Sequence, residues 1–277
     1  MAVESAPVLV DRATQQKSLM QTVVTIVAYR ELVRNLVVKD LKLKYRGSVI
    51  GFLWSLVNPL AMIAIYTLAF NYILGMRQPG FPFFILLGLL AWTFFANSAV
   101  MSTHTIVEGG SLVKAVRFPK AILPLATVIF NLVQYLLTIV ALLPLMFIVY
   151  RVPPLGPAVL FPVFLLLQVM LIVGVSLMLA AATAFFRDVR HFVEIALALL
   201  FWTTPIVYPL TQASERIQSL LMFSPMTPFV VAYQRIFYYG VWPERGVWAG
   251  AVVYGLGLFL IGTLWFVSLE DRIGEQL

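Results

Sequence analysis

Six apolar stretches, each near the length needed to cross a bilayer, hold almost no charged side chain. They run over about Val49–Leu74, Phe83–Ile106, Ala121–Tyr150, Ala158–Phe186, Val193–Leu210 and Val247–Ser268. A spanning helix needs roughly 20 mostly apolar residues, and a bilayer admits only helices or closed barrels, which satisfy their own backbone. Barrel strands alternate in polarity over about 10 residues. These runs are continuous, so helices are the expected element. A chain of 277 residues that is 61% hydrophobic, with mean hydropathy +0.95, agrees, because soluble domains are far more polar. The expectation is an all-α integral membrane fold with six transmembrane helices.

Within the six stretches His104 and Glu194 alone are Asp, Glu, His, Lys or Arg, and both lie near an end. A pump coupled to protons or ions carries acids or bases inside its bundle. Any transport by this chain is therefore expected to draw its energy from another protein. Cysteine is absent, which removes disulfides, thiolate nucleophiles and Cys-based metal sites. The sequence contains no GxxxxGK[ST] phosphate loop, no HExxH, no GxSxG and no paired intramembrane carboxylates. No catalytic residue, metal ligand or bound cofactor is assigned. His104 reads as a polar helix-end residue, and Glu194 as part of an ion-pair cluster with Arg187, Asp188 and Arg190.

Residues 1–28 carry scattered charges without a compact apolar core, unlike a cleaved signal peptide, and are read as a cytoplasmic segment. With six spans and both ends inside, fourteen Lys and Arg fall on the cytoplasmic side against five outside, as the positive-inside rule requires. The net charge of +7 then follows from topology and contact with anionic membrane lipids, with no nucleic-acid partner. Residues 47–277 form one membrane domain.

Residues 29–46 place Tyr29, Leu32, Val33, Leu36, Val37, Leu41 and Leu43 on one half of a helix and mostly charged residues on the other. An amphipathic helix of this kind lies in the headgroup plane with its apolar face in the acyl boundary, a cuff where a lipid headgroup enters. The competing reading is a plain basic flank. Arg30, Arg34, Lys44 and Arg46 are the candidates for a headgroup or phosphate, arginine offering a planar fork and lysine a point charge.

The stretch of about 211–246 is too long for a turn and too apolar for an ordinary loop. Pro225, Pro228 and Arg235 interrupt it and make a seventh, lipid-exposed span costly. Two short helices in a re-entrant external hairpin are favoured, with Thr227–Pro228 as N-cap and first-turn proline. Those three residues are candidates for an external gate. Asn58–Pro59 is expected to kink the first span.

Four segments are distinctive: KLKYRGSVIGFLWSLVNPL over Lys42–Leu60, EGGSLVKAVRFPKAILPLA over Glu108–Ala126, FFRDVRHFVEIALALLFWTTPIVYPL over Phe185–Leu210, and FSPMTPFVVAYQRIFYYG over Phe223–Gly240. In this order they resemble the permease subunit of ABC exporters for cell-surface polysaccharides, the O-antigen, capsule and teichoic acid exporters. The resemblance covers residues 29 to 270. One departure is Ser224, where the family usually has Asn before the proline.

The resemblance implies a homodimer in the bacterial inner or plasma membrane, paired with two separate ATPase subunits that hold ATP and Mg. Its cargo would be a lipid-linked polysaccharide moving through a channel between the two permeases. A permease for a smaller lipid or drug-like substrate is the alternative. Gly109–Lys120 would contain the coupling helix that docks on the ATPase, with Leu112, Lys114 and Arg117 on it and Phe118–Pro119 ending it. Lys114 and Arg117 serve equally well as positive-inside residues. A channel lined by first and fifth spans would gather Phe52, Trp54, Tyr66, Phe70 and Tyr72 with Phe201, Trp202 and Tyr208, whose faces suit sugar C–H groups. The same aromatics also fit interfacial belts and helix contacts.

Overall fold

Continuous apolar runs become long helices because each must satisfy its own backbone. The structure, a computed structural model, describes residues 29–48, 50–75, 78–110, 118–150 and 156–275. Among the described residues there are nine α-helices and no strand. In chain order they are α1 (Arg30–Tyr45), α2 (Leu53–Thr67), α3 (Phe81–Glu108), α4 (Ile122–Tyr150), α5 (Phe161–Phe185), α6 (Val189–Thr203), α7 (Glu215–Leu221), α8 (Thr227–Tyr233) and α9 (Arg245–Glu275). A π turn extends α2 to Ile73 and another extends α8 to Tyr239, while a 3-10 turn from Gly156 leads into α5.

Five of these elements are long and apolar enough to cross a membrane: Leu53–Ile73, Phe81–Glu108, Ile122–Tyr150, Gly156–Phe185 and Arg245–Gly274. The expected fifth span differs. Its helix α6 has 15 residues and stops at Thr203, a rise of about 22 Å against a hydrocarbon core of about 30 Å. Pro205 is the cause, because it disfavours helical backbone at Thr204, which is extended at φ −98° and ψ 129°. The chain from Thr204 to Val207 is buried nonetheless. Gln234 Nε2 donates to the Pro205 carbonyl at 3.0 Å, so this non-helical backbone is satisfied by protein.

The core is built around α3. In its most apolar window 78% of residues are buried inside the protein, against 11% for α2, so α3 is the hub and α2 lies at the periphery. Behind α3, α5 and α9 meet backbone to backbone. A Cβ on Gly255 would stand 2.8 Å from the Leu167 carbonyl oxygen, and at Gly174 and Gly262 the facing backbone is closer still. Small residues permit this approach, which is how helices associate where apolar burial alone gives no preference.

One polar clasp crosses the core. Gln168 on α5, fully buried, donates from Nε2 to the Ala91 carbonyl at 2.9 Å and accepts from the Tyr233 hydroxyl at 2.7 Å. It joins α5, α3 and α8. Gln168→Leu is expected to lower stability by roughly 0.6–1.7 kcal/mol, the range for interhelical hydrogen bonds in membranes. Thermal melting of Gln168→Leu, Tyr233→Phe and the double variant should show non-additivity, since the two side chains share one bond.

The hairpin of 211–246 contains two short helices, α7 and α8, as expected. Thr227 is not the N-cap. It is the first residue of α8 after Met226, and its hydroxyl donates instead to the Leu221 carbonyl at 2.8 Å, tying α7 to α8. Ser224 is buried, with Oγ 2.8 Å from Thr204 Oγ1, so serine here pins the turn to the end of α6. Pro59 sits inside a helix that continues to Thr67.

Helix α1 lays its apolar face on α4. Val33 and Val37 pack with Ile122, Ala126 and Phe130 of α4, flanked by Leu32, Leu36, Leu41 and Met101. Its apolar face is therefore covered largely by protein, leaving Val38 and Leu43 exposed. The side chain of Lys44 reaches Gln134, twelve residues and about 18 Å along α4 from Ile122. Glu194 pairs with His191 at 3.9 Å, and not with Arg190 among the described residues.

Candidate functional site

The loop after α1 opens onto a cavity of about 810 Å³ bounded by α2, α3 and α4. Lys44, Tyr45, Arg46, Ser48, Trp54, Ser55 and Asn58 line it from the N-terminal side, with Thr93, Phe94 and Asn97 on α3 and Asn131, Gln134, Tyr135 and Thr138 on α4. Amides, hydroxyls and two cations thus face one space, and no Asp or Glu lies among the lining residues. Pro59 also lines it and lacks the backbone N–H that a helix residue there would donate to the Ser55 carbonyl.

Two cations occupy different situations. Lys44 donates to Gln134 Oε1, and Tyr45 OH lies 2.7 Å from Ser55 Oγ. Burial holds the Lys44 pKa below its ordinary value. Gln134 is buried and its Nε2 finds no partner in the protein, which leaves amide donors beside the cavity wall. Arg46 is exposed. No described side chain pairs with it, so its guanidinium is available to a ligand. Elsewhere on α1, burial raises the Asp40 pKa; Lys39 pulls it down, and Glu108 at the end of α3 pushes it up.

The structure divides the four basic candidates. Lys44 and Arg46 line the cavity. Arg30 and Arg34 do not. They stand exposed near the other end of α1, and Arg34 pairs with Glu31 at 3.7 Å. A helix of this length separates its ends by about 20 Å, so the four cannot serve one headgroup together.

The aromatic candidates divide as well. Tyr66 stacks on Phe201 at 5.9 Å, Phe201 meets Trp202 edge-on at 5.4 Å, and the Tyr208 hydroxyl donates to the Trp202 carbonyl at 2.9 Å. Phe70 extends the group to Phe81 at 6.1 Å. Here α2 and α6 do share one aromatic face. Trp92 on α3 closes it from behind, 5.6 Å from Phe201; it was not among the sequence candidates, since its place is set by tertiary packing. Phe52 lies apart from this group, against Tyr45 at 6.2 Å, and Trp54 sits at the cavity. Tyr72 is 78% exposed at the end of α2 and joins neither set.

At the opposite end of the bundle a second cavity of about 570 Å³ lies among α7, α8 and the start of α9. Arg235 lines it and pairs with Glu244. Pro228 is buried against Gly250, where a Cβ would come within 2.7 Å of its ring, and Pro225 is half-buried in the turn before α8. Leu112, Lys114 and Arg117 fall outside the described residues. Phe118 and Pro119 are half-buried, and Phe118 packs against both the main core and the α1 cluster.

The missed residues of the inner cavity, Thr93, Asn97, Asn131, Gln134 and Thr138, had a signal in the sequence: polar side chains inside otherwise apolar spans. The family model for the ABC-2 type transporter matches residues 31–238. The chain belongs to the ABC-2 type transporter family. It is a multi-pass membrane permease subunit, a kind that lacks the ATPase domain. The O-antigen export system permease protein RfbA of Myxococcus xanthus is 37% identical over 254 residues, covering 90% of this chain and 96% of that protein. RfbA of Klebsiella pneumoniae is 29% identical over 86% of this permease and 92% of its own length. The polysialic acid transport protein KpsM of Escherichia coli is 24% identical over 88% and 93%.

Proposed function

We propose that this permease exports a lipid-linked polysaccharide from the cytoplasmic face of a bacterial inner or plasma membrane, through a channel between two copies of itself. Two ATPase subunits holding ATP and Mg supply the energy. The observation that carries the reading is the inner cavity: two cations, side-chain amides and many hydroxyls without a single acid among the lining residues. That combination repels no phosphate and offers hydrogen bonds to sugar hydroxyls. The relatives, an O-antigen export permease and a polysialic acid transport protein, point to the same cargo class.

In this reading Lys44 and Arg46 meet the phosphate end of the substrate. The aromatic face of α2 and α6 lines the passage, and the second copy covers other apolar residues that these two helices leave exposed, among them Leu53, Ile65, Ile195 and Leu199. Helix α6 with the buried stretch after it makes the sixth crossing, because irregular backbone is tolerated at membrane depth only inside protein. The hairpin α7–α8, with Pro225, Pro228 and Arg235, closes the external mouth. Residues 109–120 contact the ATPase, both termini are cytoplasmic, and α1 (within residues 29–46) guards the entrance to the membrane domain of 47–277.

Depletion of the permease in its native host, followed by fractionation of lipid-linked glycan by membrane face, tests the proposal. Glycan accumulating inside with surface polymer lost is the expected result. Unchanged glycan on both faces would overturn it and favour a smaller lipid or drug-like substrate.

A further inference from the structure

The last turns of α9 hold Lys120, just ahead of α4, in a reciprocal contact. Glu270, nearly buried at 9% exposure, accepts the Lys120 backbone N–H on Oε1 at 2.9 Å. In return the Lys120 ammonium donates to the Glu270 carbonyl. Each charge also suits the helix end it meets: a carboxylate beside the N-terminus of α4 and an ammonium over the C-terminal turns of α9. Gly274 completes the arrangement. A Cβ there would stand 2.6 Å from Lys120 Nζ, so a larger residue would displace the ammonium. Two residues before Lys120, Phe118 packs into both the main core and the cluster beneath α1. The stretch 118–120, which leads out of the segment at 109–120, is thus held from two sides.

The geometry points to Glu270 as a positioning residue for energy coupling: the end of α9 fixes residues 118–120, where the chain leaves the ATPase-contact segment. This rests on the reading that residues 109–120 contact the ATPase. A rigid brace is what such a contact requires, since a push delivered at a loose turn would be absorbed by local motion. Here the brace is a nearly buried carboxylate on a backbone N–H, backed by the Lys120 ammonium on the Glu270 carbonyl.

The test uses the assembled complex of permease and ATPase subunits. The natural chain lacks cysteine, so Lys114→Cys reports contact with the ATPase through a thiol–amine crosslinker. Export per ATP hydrolysed is then measured for Glu270→Leu, Glu270→Gln and Lys120→Met. The expected result is a crosslink in the otherwise natural chain, with export per ATP falling about tenfold in Glu270→Leu, within the usual range of coupling between sites. Glu270→Gln, which keeps an acceptor for the Lys120 N–H, should recover most of it. A purely structural role would lower the amount of complex and leave the ratio of the surviving complex unchanged; that outcome overturns the inference. A crosslink with an unchanged ratio overturns it too, while sparing the assignment of the ATPase contact. Absence of the crosslink removes that assignment and the inference with it. If Glu270→Leu does not accumulate, Lys120→Met carries the decision: a lowered ratio supports the brace, and an unchanged one refutes it.

Discussion

Gly262→Val is expected to abolish folded permease, while Gly257→Val on the same helix leaves it intact. The two positions lie little more than one turn apart on α9, yet their surroundings are opposite. A Cβ at Gly262 would run into the backbone of Gly174, whereas one at Gly257 meets nothing within 4 Å. Flexible side chains can yield to an added methyl, at a cost of about 1–3 kcal/mol. Backbone cannot, so α5 and α9 must separate along their length. That loosens Gln168 and the clasp to Tyr233 as well, because Gln168 rides on α5. Size-exclusion profiles of fluorescent fusions measure the outcome. A monodisperse peak of normal height for Gly262→Val would show that the α5–α9 contact is not close.

Arg46→Glu is expected to cut export at least about tenfold without changing the folded yield. Arg46 is the better probe of the inner cavity because no described side chain depends on it. Lys44 is also held by Gln134, so its replacement would disturb packing and function together. A hydrogen bond to a charged group contributes about 1.5–3 kcal/mol, and each 1.4 kcal/mol is a factor of ten. Reversal adds repulsion of a phosphate in a space that otherwise holds no acid. Surface polymer per cell, normalised to permease in the membrane, is the measurement. Normal polymer with Arg46→Glu would remove this residue from the substrate path.

How much of this was legible beforehand varies by element. Long apolar runs announced α2, α3, α4, α5 and α9, since burial in lipid demands length and hydropathy of each segment separately. The proline-broken stretch of 211–246 likewise read as two short helices. The place where α6 stops was less accessible: Thr204 to Val207 are as apolar as many spans, and only burial beside Gln234 makes their irregular backbone tolerable. Helix α1 was legible only in part. Its amphipathic pattern called for an apolar surface but did not specify whether lipid or α4 would supply it.

The site shows the same boundary. Lys44 and Arg46 were recognised as candidate ligands from chemistry alone, but so were Arg30 and Arg34, which share their helix and not their cavity. Asn97 and Gln134 look unremarkable one span at a time and become a site only when α3 and α4 bring them to the end of α1. By itself the sequence determined the membrane class and the helical content, because each depends on the composition of contiguous residues. Tertiary structure alone decided which polar groups converge, which aromatics stack and where α9 grips α4. Those are matters of distance between residues as far apart as Lys120 and Glu270, and local sequence does not encode such distances.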